Sequence, residues 1–430
     1  MTEDEVRAAA ERLVEFHERF APHFGKEEAQ DNACTYVKGL MVCPERKSIE
    51  PIALNVGNGN VSALQKFINV SPWDYEDVQA EIQGVFVDEL VPTAADSPIG
   101  VVGVIDESAF AKKGAHSAGV DRQHNGRLGN EDNCQVGVFL VGVTPGGSAL
   151  LDHRLYLPES WCEDSPDAKQ RREKAHIPET VEFQTKPRIA AELIRLTVLL
   201  GVVALDWITA DEEYGRNGDF LDELEELDQR YVVEVPVNTT VWTEDPARCI
   251  PAYGGRGRVP TRPSRASVAS VSAVVLSLGP EAWQTLCVGQ GAKGPLVYEF
   301  AARRVWAVRH GEAGPPIWLL VRRSLEEPAE TKYYVSNAEA SMPLGVLAQV
   351  ACRRHKVEEF FEDAKSYLGM ARYETRSWVG WHHHMSLVAM AHLFITLTCR
   401  DLKKKHRSCR WTGRCGYSGG RWRFLGCRWG

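Results

Sequence analysis

Val101-Val102-Gly103-Val104-Ile105-Asp106 reads as a buried β-strand that ends on a carboxylate. A second apolar run, Leu205-Asp206-Trp207-Ile208-Thr209-Ala210, ends on Asp211. Runs of four to eight residues rich in β-branched and aliphatic side chains are strand signals. Between the two lie strand-like runs at 134–143 and 149–157 and a helical pattern near 187–200. A helix near 219–230 and a strand at 231–235 follow. Three strands, a helix, a strand, a helix and a strand predict one coherent mixed α/β sheet with flanking helices. Ligands of such sheets gather at the carboxyl ends of strands, where this reading puts both Asp106 and Asp211.

A third acid belongs with them. Arg354-His355-Lys356-Val357-Glu358-Glu359-Phe360-Phe361-Glu362-Asp363-Ala364-Lys365 has helical character. Arg354, Glu358, Glu362 and Lys365 fall at i, i+4, i+8 and i+11, along one side of a helix. A charged stripe of this kind is ordinarily a solvated face laced with ion pairs. Beside two strand-end aspartates it reads as a metal ligand, Glu358, flanked by two phosphate-binding cations. Hard carboxylate oxygens suit Mg²⁺ or Mn²⁺, and two such ions can serve phosphodiester chemistry.

The rest of the chain frames this constellation. Residues 1–95 carry helical periodicity, interrupted at Gly57-Asn58-Gly59-Asn60, with Asp74 as a candidate N-cap. They suit a small helical DNA-binding region or, equally, a helical cap on the main domain. Residues 96–239 form the first part of the catalytic core. The stretch 111–133, rich in Lys, His, Arg and Gly, reads as a polar loop or hairpin beside Asp106. Residues 240–346 are a β-rich insertion, with a Pro/Gly/Arg/Ser loop at 251–267 and strand-like runs after it. Helix resumes over 347–400, the second part of the core. The tail, 401–430, is basic and irregular, and reads as a product of a frame shift or truncation.

Composition sets bounds rather than an answer. At 430 residues, 44% hydrophobic and 25% charged, the chain is an ordinary globular protein. No run of 18 apolar residues occurs, so no membrane span is expected. Eleven cysteines without paired spacing point to reduced thiols and a cytoplasmic setting. The net charge of −8 argues against DNA as a partner, although residues 400–430 alone carry ten Lys/Arg against one Asp. DNA binding would therefore rest on local basic patches. His382-His383-His384 cannot all face one ion from a helix and reads as structural or surface.

Taken together, the chain resembles DDE-superfamily insertion-sequence transposases, the bacterial group with a Tyr-x2-Arg-x3-Glu-x6-Lys signature. Arg354-x3-Glu358-x6-Lys365 fits it, whereas the tyrosine position falls at Ala351. The likeness extends through Ile105-Asp106-Glu107-Ser108, Lys112-Lys113-Gly114, Asn133-Cys134-Gln135-Val136, Ala210-Asp211-Glu212-x-Tyr214-Gly215-Arg216 and Tyr373-Glu374-x-Arg376-Ser377-Trp378. It covers roughly residues 30–400.

The resemblance implies an RNase H-like fold interrupted by the β-rich insertion and a DDE triad of Asp106, Asp211 and Glu358. Glu107, Glu212 and Glu359 would point elsewhere, and Glu362 is the one rival. It implies Mg²⁺ or Mn²⁺, as a pair of ions, and double-stranded DNA as partner: the ends of an insertion sequence and a target. Arg354 and Lys365 would contact phosphate, Tyr214 and Arg216 would touch DNA, with local capping the other reading of Arg216, and Trp283 would stack on a displaced base. A homodimer on DNA and a bacterial, nucleoid-associated location follow from the same likeness. A catalytically impaired DNA-binding remnant is the second reading. A metal-free glycosidase with two acids is a distant third.

Overall fold

The computed structural model describes all residues except 1–2, 126–128, 254, 256–258, 260, 292–293, 406–413, 419–420 and 426–430. Five helices come first: α1 (Glu3–Phe20), α2 (Glu27–Val42), α3 (Ile49–Asn55), α4 (Val61–Asn69) and α5 (Tyr75–Glu89). Four strands follow, β1 (Val102–Ala111), β2 (Asp121–Asn125), β3 (Asn130–Thr144) and β4 (Gly147–Leu155), then α6 (Pro166–Lys174) and α7 (Lys186–Leu200). Next are β5 (Trp207–Thr209), α8 (Glu212–Gly215), α9 (Gly218–Glu226), β6 (Val232–Val235), β7 (Thr240–Trp242), β8 (Val268–Ser270) and α10 (Val271–Leu276). Four longer strands, β9 (Gln284–Gly291), β10 (Gly294–Arg309), β11 (Glu312–Arg323) and β12 (Thr331–Ser336), precede α11 (Leu344–Ala351), α12 (His355–Tyr367) and α13 (Trp378–Lys405). A last hairpin pairs β13 (Arg414–Ser418) with β14 (Arg421–Leu425).

The chain divides into two compact units. Unit 1 comprises Met1–Ser97, Asp106–Ala204 and Lys356–Gly430, and unit 2 comprises Pro98–Ile105 and Leu205–His355. In unit 1, helix starts follow local chemistry. Asp74 caps α5 by accepting from the Glu76 amide, as the sequence leads one to expect, and Asn60 caps α4 in the same way by accepting from the Ala63 amide. Thr185 caps α7, which ends on Gly201 in the left-handed conformation. β3 pairs antiparallel with both β2 and β4, so the stretch after β1 is a hairpin rather than a loop.

Helix α13 is the centre of unit 1, packed on α2, α5 and β4. It is long and apolar enough to cross a membrane by length and composition, which the run-based reading of the sequence does not register. Its most apolar window is 61% buried, and His382, His383 and His384 are all buried in it. His383 is held by the carbonyls of Ile68 and Trp73, each at 2.9 Å. This is the behaviour of a core helix, and the histidine triplet is structural.

In unit 2 the first residues of β1 pair in parallel with β5, Val102 against Trp207. The larger sheet runs β6-β12-β11-β10-β7-β8, with β9 on β10. The mixed α/β architecture with flanking helices is the one expected, and β6 is where the two sheets meet. β6 meets the β5 segment in parallel, with Ile208 opposite Tyr231, the Ile208 amide donating to the Arg230 carbonyl at 2.8 Å and the Glu234 amide to the Ala210 carbonyl at 3.0 Å, and it pairs along its length with β12. Asn337 closes β6 onto the end of β12, its side chain accepting from the Tyr231 amide and donating to the Gln229 carbonyl. Buried Arg309 ties the same sheet to α9 through Asp222, Glu225 and the Tyr231 hydroxyl.

Eight cysteines, from Cys34 to Cys399, are free thiols. The tail, expected to be irregular, contains the β13–β14 hairpin; its Cys409 and Cys427 lie outside the described residues.

Candidate active site

Asp106 does not end its strand. β1 continues five residues further, to Ala111, because Ser108 and Phe110 keep the inward alternation that an apolar-run reading stops counting. Asp106 is half-buried, and its Oδ1 accepts from the Glu107 amide at 2.7 Å. Neighbouring Glu107 is neutralised by Lys186 at 2.8 Å, so it is already committed to an ion pair.

Glu358 lies in the first turn of α12 and is exposed. Lys365, two turns later, donates to the Ala109 carbonyl at 3.2 Å and sits over the Phe110 ring at 5.1 Å. That contact ties α12 to β1 within unit 1. Glu362 is exposed on the same helix. Arg354 is not part of the helix: α11 ends at Ala351 and α12 begins at His355. The continuous stripe expected from Arg354 to Lys365 is therefore broken at its first member.

Asp211 belongs to unit 2, where it caps α8, its Oδ1 accepting from the amides of Glu213 (2.9 Å) and Tyr214 (3.4 Å). Burial pushes its carboxyl above the ordinary carboxylate value, opposed by the Arg354 guanidinium and by those two amides. Arg354 also pairs with Glu234 at 3.5 Å, which Lys332 holds at 2.9 Å. Glu234 and Lys332 were not singled out from the sequence. The available signal was an acid in the otherwise apolar strand Val232-Val233-Glu234-Val235.

The remaining candidates are placed unevenly. Tyr214 is fully buried against Phe220, so its ring belongs to the core rather than to a DNA surface. Arg216 is exposed and pairs locally with Glu213. Trp283 is half-buried, with the Arg323 guanidinium 4.1 Å from its ring centroid and Arg323 in turn held by Glu299. The Gly-rich run after it forms the β9–β10 hairpin; Ala292 and Lys293 lie outside the described residues.

Gly215 has a role that its place in a motif does not explain. A Cβ there would lie 1.9 Å from the Glu234 carbonyl oxygen, a backbone atom. Only glycine lets α8 approach β6 so closely. Gly215→Ala is expected to displace α8, and Asp211 with it, and to lower any Asp211-dependent activity at least tenfold while every charge is kept. Kinetics beside a thermal melt would check this, and wild-type activity in a folded variant would refute it.

The three carboxylates offer the hard oxygen donors that Mg²⁺ and Mn²⁺ take, and a cation would offset the cost of ionising buried Asp211. Among the described residues no three His, Cys, Asp or Glu side chains are already gathered as a metal-ligand set.

A mixed α/β chain with an aspartate in β1, another capping α8 just after β5 and a glutamate in α12 has the parts of a carboxylate nuclease. The sequence model described as DDE superfamily endonuclease matches residues 19–295, more than half of the chain, and the chain belongs to that family. Over 195 residues it is 31% identical to a protein of Microchaete diplosiphon described as a probable transposase for insertion sequence element IS701. That match covers 45% of this chain and 46% of the relative, so the chain spans about half the length of the curated relative it matches.

Proposed function

We propose that the protein is a DNA transposase that cuts the ends of an insertion sequence and joins them to target DNA, with Asp106, Asp211 and Glu358 as its triad. The observation that carries this reading, within a DDE endonuclease family, is the Lys365–Ala109 anchor. Glu358 lies seven residues before Lys365, about 10 Å along a helix. Asp106 lies three residues before Ala109, about 10 Å along a strand. The two offsets from the anchor are of similar length, which supports reading the two carboxylates as parts of one site.

DDE enzymes use divalent metal ions, and two ions held by these carboxylates would supply charge stabilisation and an activated oxygen. Each step is an in-line displacement at phosphorus. In cleavage, a water oxygen bonds to phosphorus and the P–O3′ bond breaks, leaving a 3′-hydroxyl. In joining, that hydroxyl attacks a target phosphate and a target 3′-oxygen leaves. Lys365 and Arg354 serve as phosphate contacts, Arg216 as a surface contact and Trp283 as a stacking face for an unpaired base. A dimer on paired ends is part of the same reading.

The test is cleavage of duplex DNA carrying the element's ends, with Mg²⁺ or Mn²⁺ and with EDTA, beside Asp211→Ala. Metal-dependent cutting lost in the variant is expected. Binding without cutting by the wild type would favour the impaired remnant, and metal-independent hydrolysis would sink the triad.

A further inference from the structure

We propose that a basic groove in unit 1, built by α4, the end of α6 and the segment leading into α13, holds the phosphate backbone of double-stranded DNA. The proposal rests on the transposase reading and adds a positioning surface to it. The groove has a volume of about 750 Å³, and Lys66, Lys174, His176 and Arg376 line it together with Glu50 and Glu374.

The backbone fixes these side chains relative to one another. The Trp378 amide donates to the Ala175 carbonyl at 2.8 Å, seating the Arg376 segment beside Lys174 and His176. The Arg376 carbonyl accepts from the Ala118 amide at 2.9 Å. On the α4 side, the Thr375 hydroxyl donates to Asn69 Oδ1 at 2.6 Å.

Charge decides what fits. Glu374 is paired with Arg46 at 3.3 Å. Among the described residues Lys66, Lys174 and Arg376 have no salt-bridge partner, although ion pairs are common elsewhere in unit 1. Three uncompensated cations thus face one uncompensated carboxylate, Glu50, in a chain whose net charge is −8. Unpaired Lys and Arg held over a hydroxyl-bearing floor match the way proteins position a nucleic-acid backbone without reading its sequence.

His176 adds an independent sign. It stands at φ +50 just after α6, with its amide bonded to the Glu173 carbonyl and the Ile177 amide to the Arg172 carbonyl. Glycine is the usual occupant of such a left-handed helix end. A side chain kept there despite the backbone cost points to use of that side chain.

The experiment is a salt series of duplex-DNA binding by the full chain without divalent metal. The variants are Lys66→Gln/Lys174→Gln/Arg376→Gln, His176→Gly, and Lys169→Gln as a control whose ammonium is paired with Asp164. Each lost phosphate contact lowers the slope of log K against log salt by about 0.9. The triple variant is therefore expected to lose roughly 2–3 from the slope, equally on element-end and unrelated duplexes, while the control keeps it. His176→Gly is expected to weaken binding with an unchanged or raised melting temperature. A triple variant that keeps the wild-type slope overturns the groove. Absence of DNA binding by the wild type overturns the transposase reading itself.

Discussion

Below pH 6.5, unit 1 is expected to lose stability steeply, because its core holds histidines that stay neutral only while folded. His382 and His384 have their tautomers set by partners. Nδ1 of His382 donates to the Trp378 carbonyl while its Nε2 accepts from the Leu155 amide. Nε2 of His384 donates to the Met370 carbonyl while its Nδ1 accepts from the Tyr36 hydroxyl. Each ring is satisfied as one donor and one acceptor, the pattern of neutral imidazole. His153 and His392 are buried beside aromatic rings. Burial is the main cause that pushes His153 and His384 down to about 3, His392 to about 4 and His382 well below the usual value.

Folded values below 6.5 mean that the unfolded chain binds more protons in acid. This stabilisation is full above pH 6.5 and is lost as pH falls toward 4 and below. Each such histidine contributes about 1.4 kcal/mol per pH unit in that window. Four together amount to about 11 kcal/mol over two pH units, comparable with the roughly 5–15 kcal/mol that holds a typical domain folded. His383 differs, since both its nitrogens face carbonyl oxygens, which favours a second N–H, while burial pushes it down to about 4. The two effects oppose, and its share is smaller. Urea unfolding from pH 7 to 5, followed by tryptophan fluorescence, measures the slope. His384→Gln should reduce it by one proton, and equal midpoints at pH 7 and pH 5 would refute the account.

These histidines show what a sequence can and cannot disclose. Their adjacency on a helix excluded a shared ion, but the carbonyls that hold them come from residues 68, 73 and 370, set by tertiary packing. The acids at 106, 211 and 358 stand out in the sequence because each lies beside an apolar run or among regularly spaced cations. The end of β1 was not, since Ser108 and Phe110 continue its alternation too weakly to register as a run. The break at 352–354 has no glycine or proline to mark it. The pairing of β6 with β12 was hidden because the residue that closes it, Asn337, lies 106 residues beyond Tyr231. Gly215 was visible as a letter, whereas its reason is a carbonyl 19 residues away.

Glu358→Gln is expected to abolish metal-dependent DNA cleavage, and Glu362→Gln to leave it within about threefold. Both residues are exposed on α12, one turn apart, so neither charge is needed for the core. A ligand role separates them. Losing a direct carboxylate ligand should cost more than the roughly 10–100-fold that follows loss of a hydrogen-bond partner behind a ligand. Glutamine keeps the size and the helix propensity, so unfolding midpoints should match the wild type within about 0.5 kcal/mol. The Mn²⁺ concentration giving half-maximal cleavage supplies the second readout. It should rise sharply in any residual activity of Glu358→Gln and stay constant in Glu362→Gln. Asp106→Asn should behave like Glu358→Gln if both acids serve one site. Loss in Glu362→Gln with activity kept in Glu358→Gln would move the third ligand one turn along α12. It would also break the match in length between the Lys365–Glu358 and Ala109–Asp106 offsets, on which the assignment of Glu358 rests.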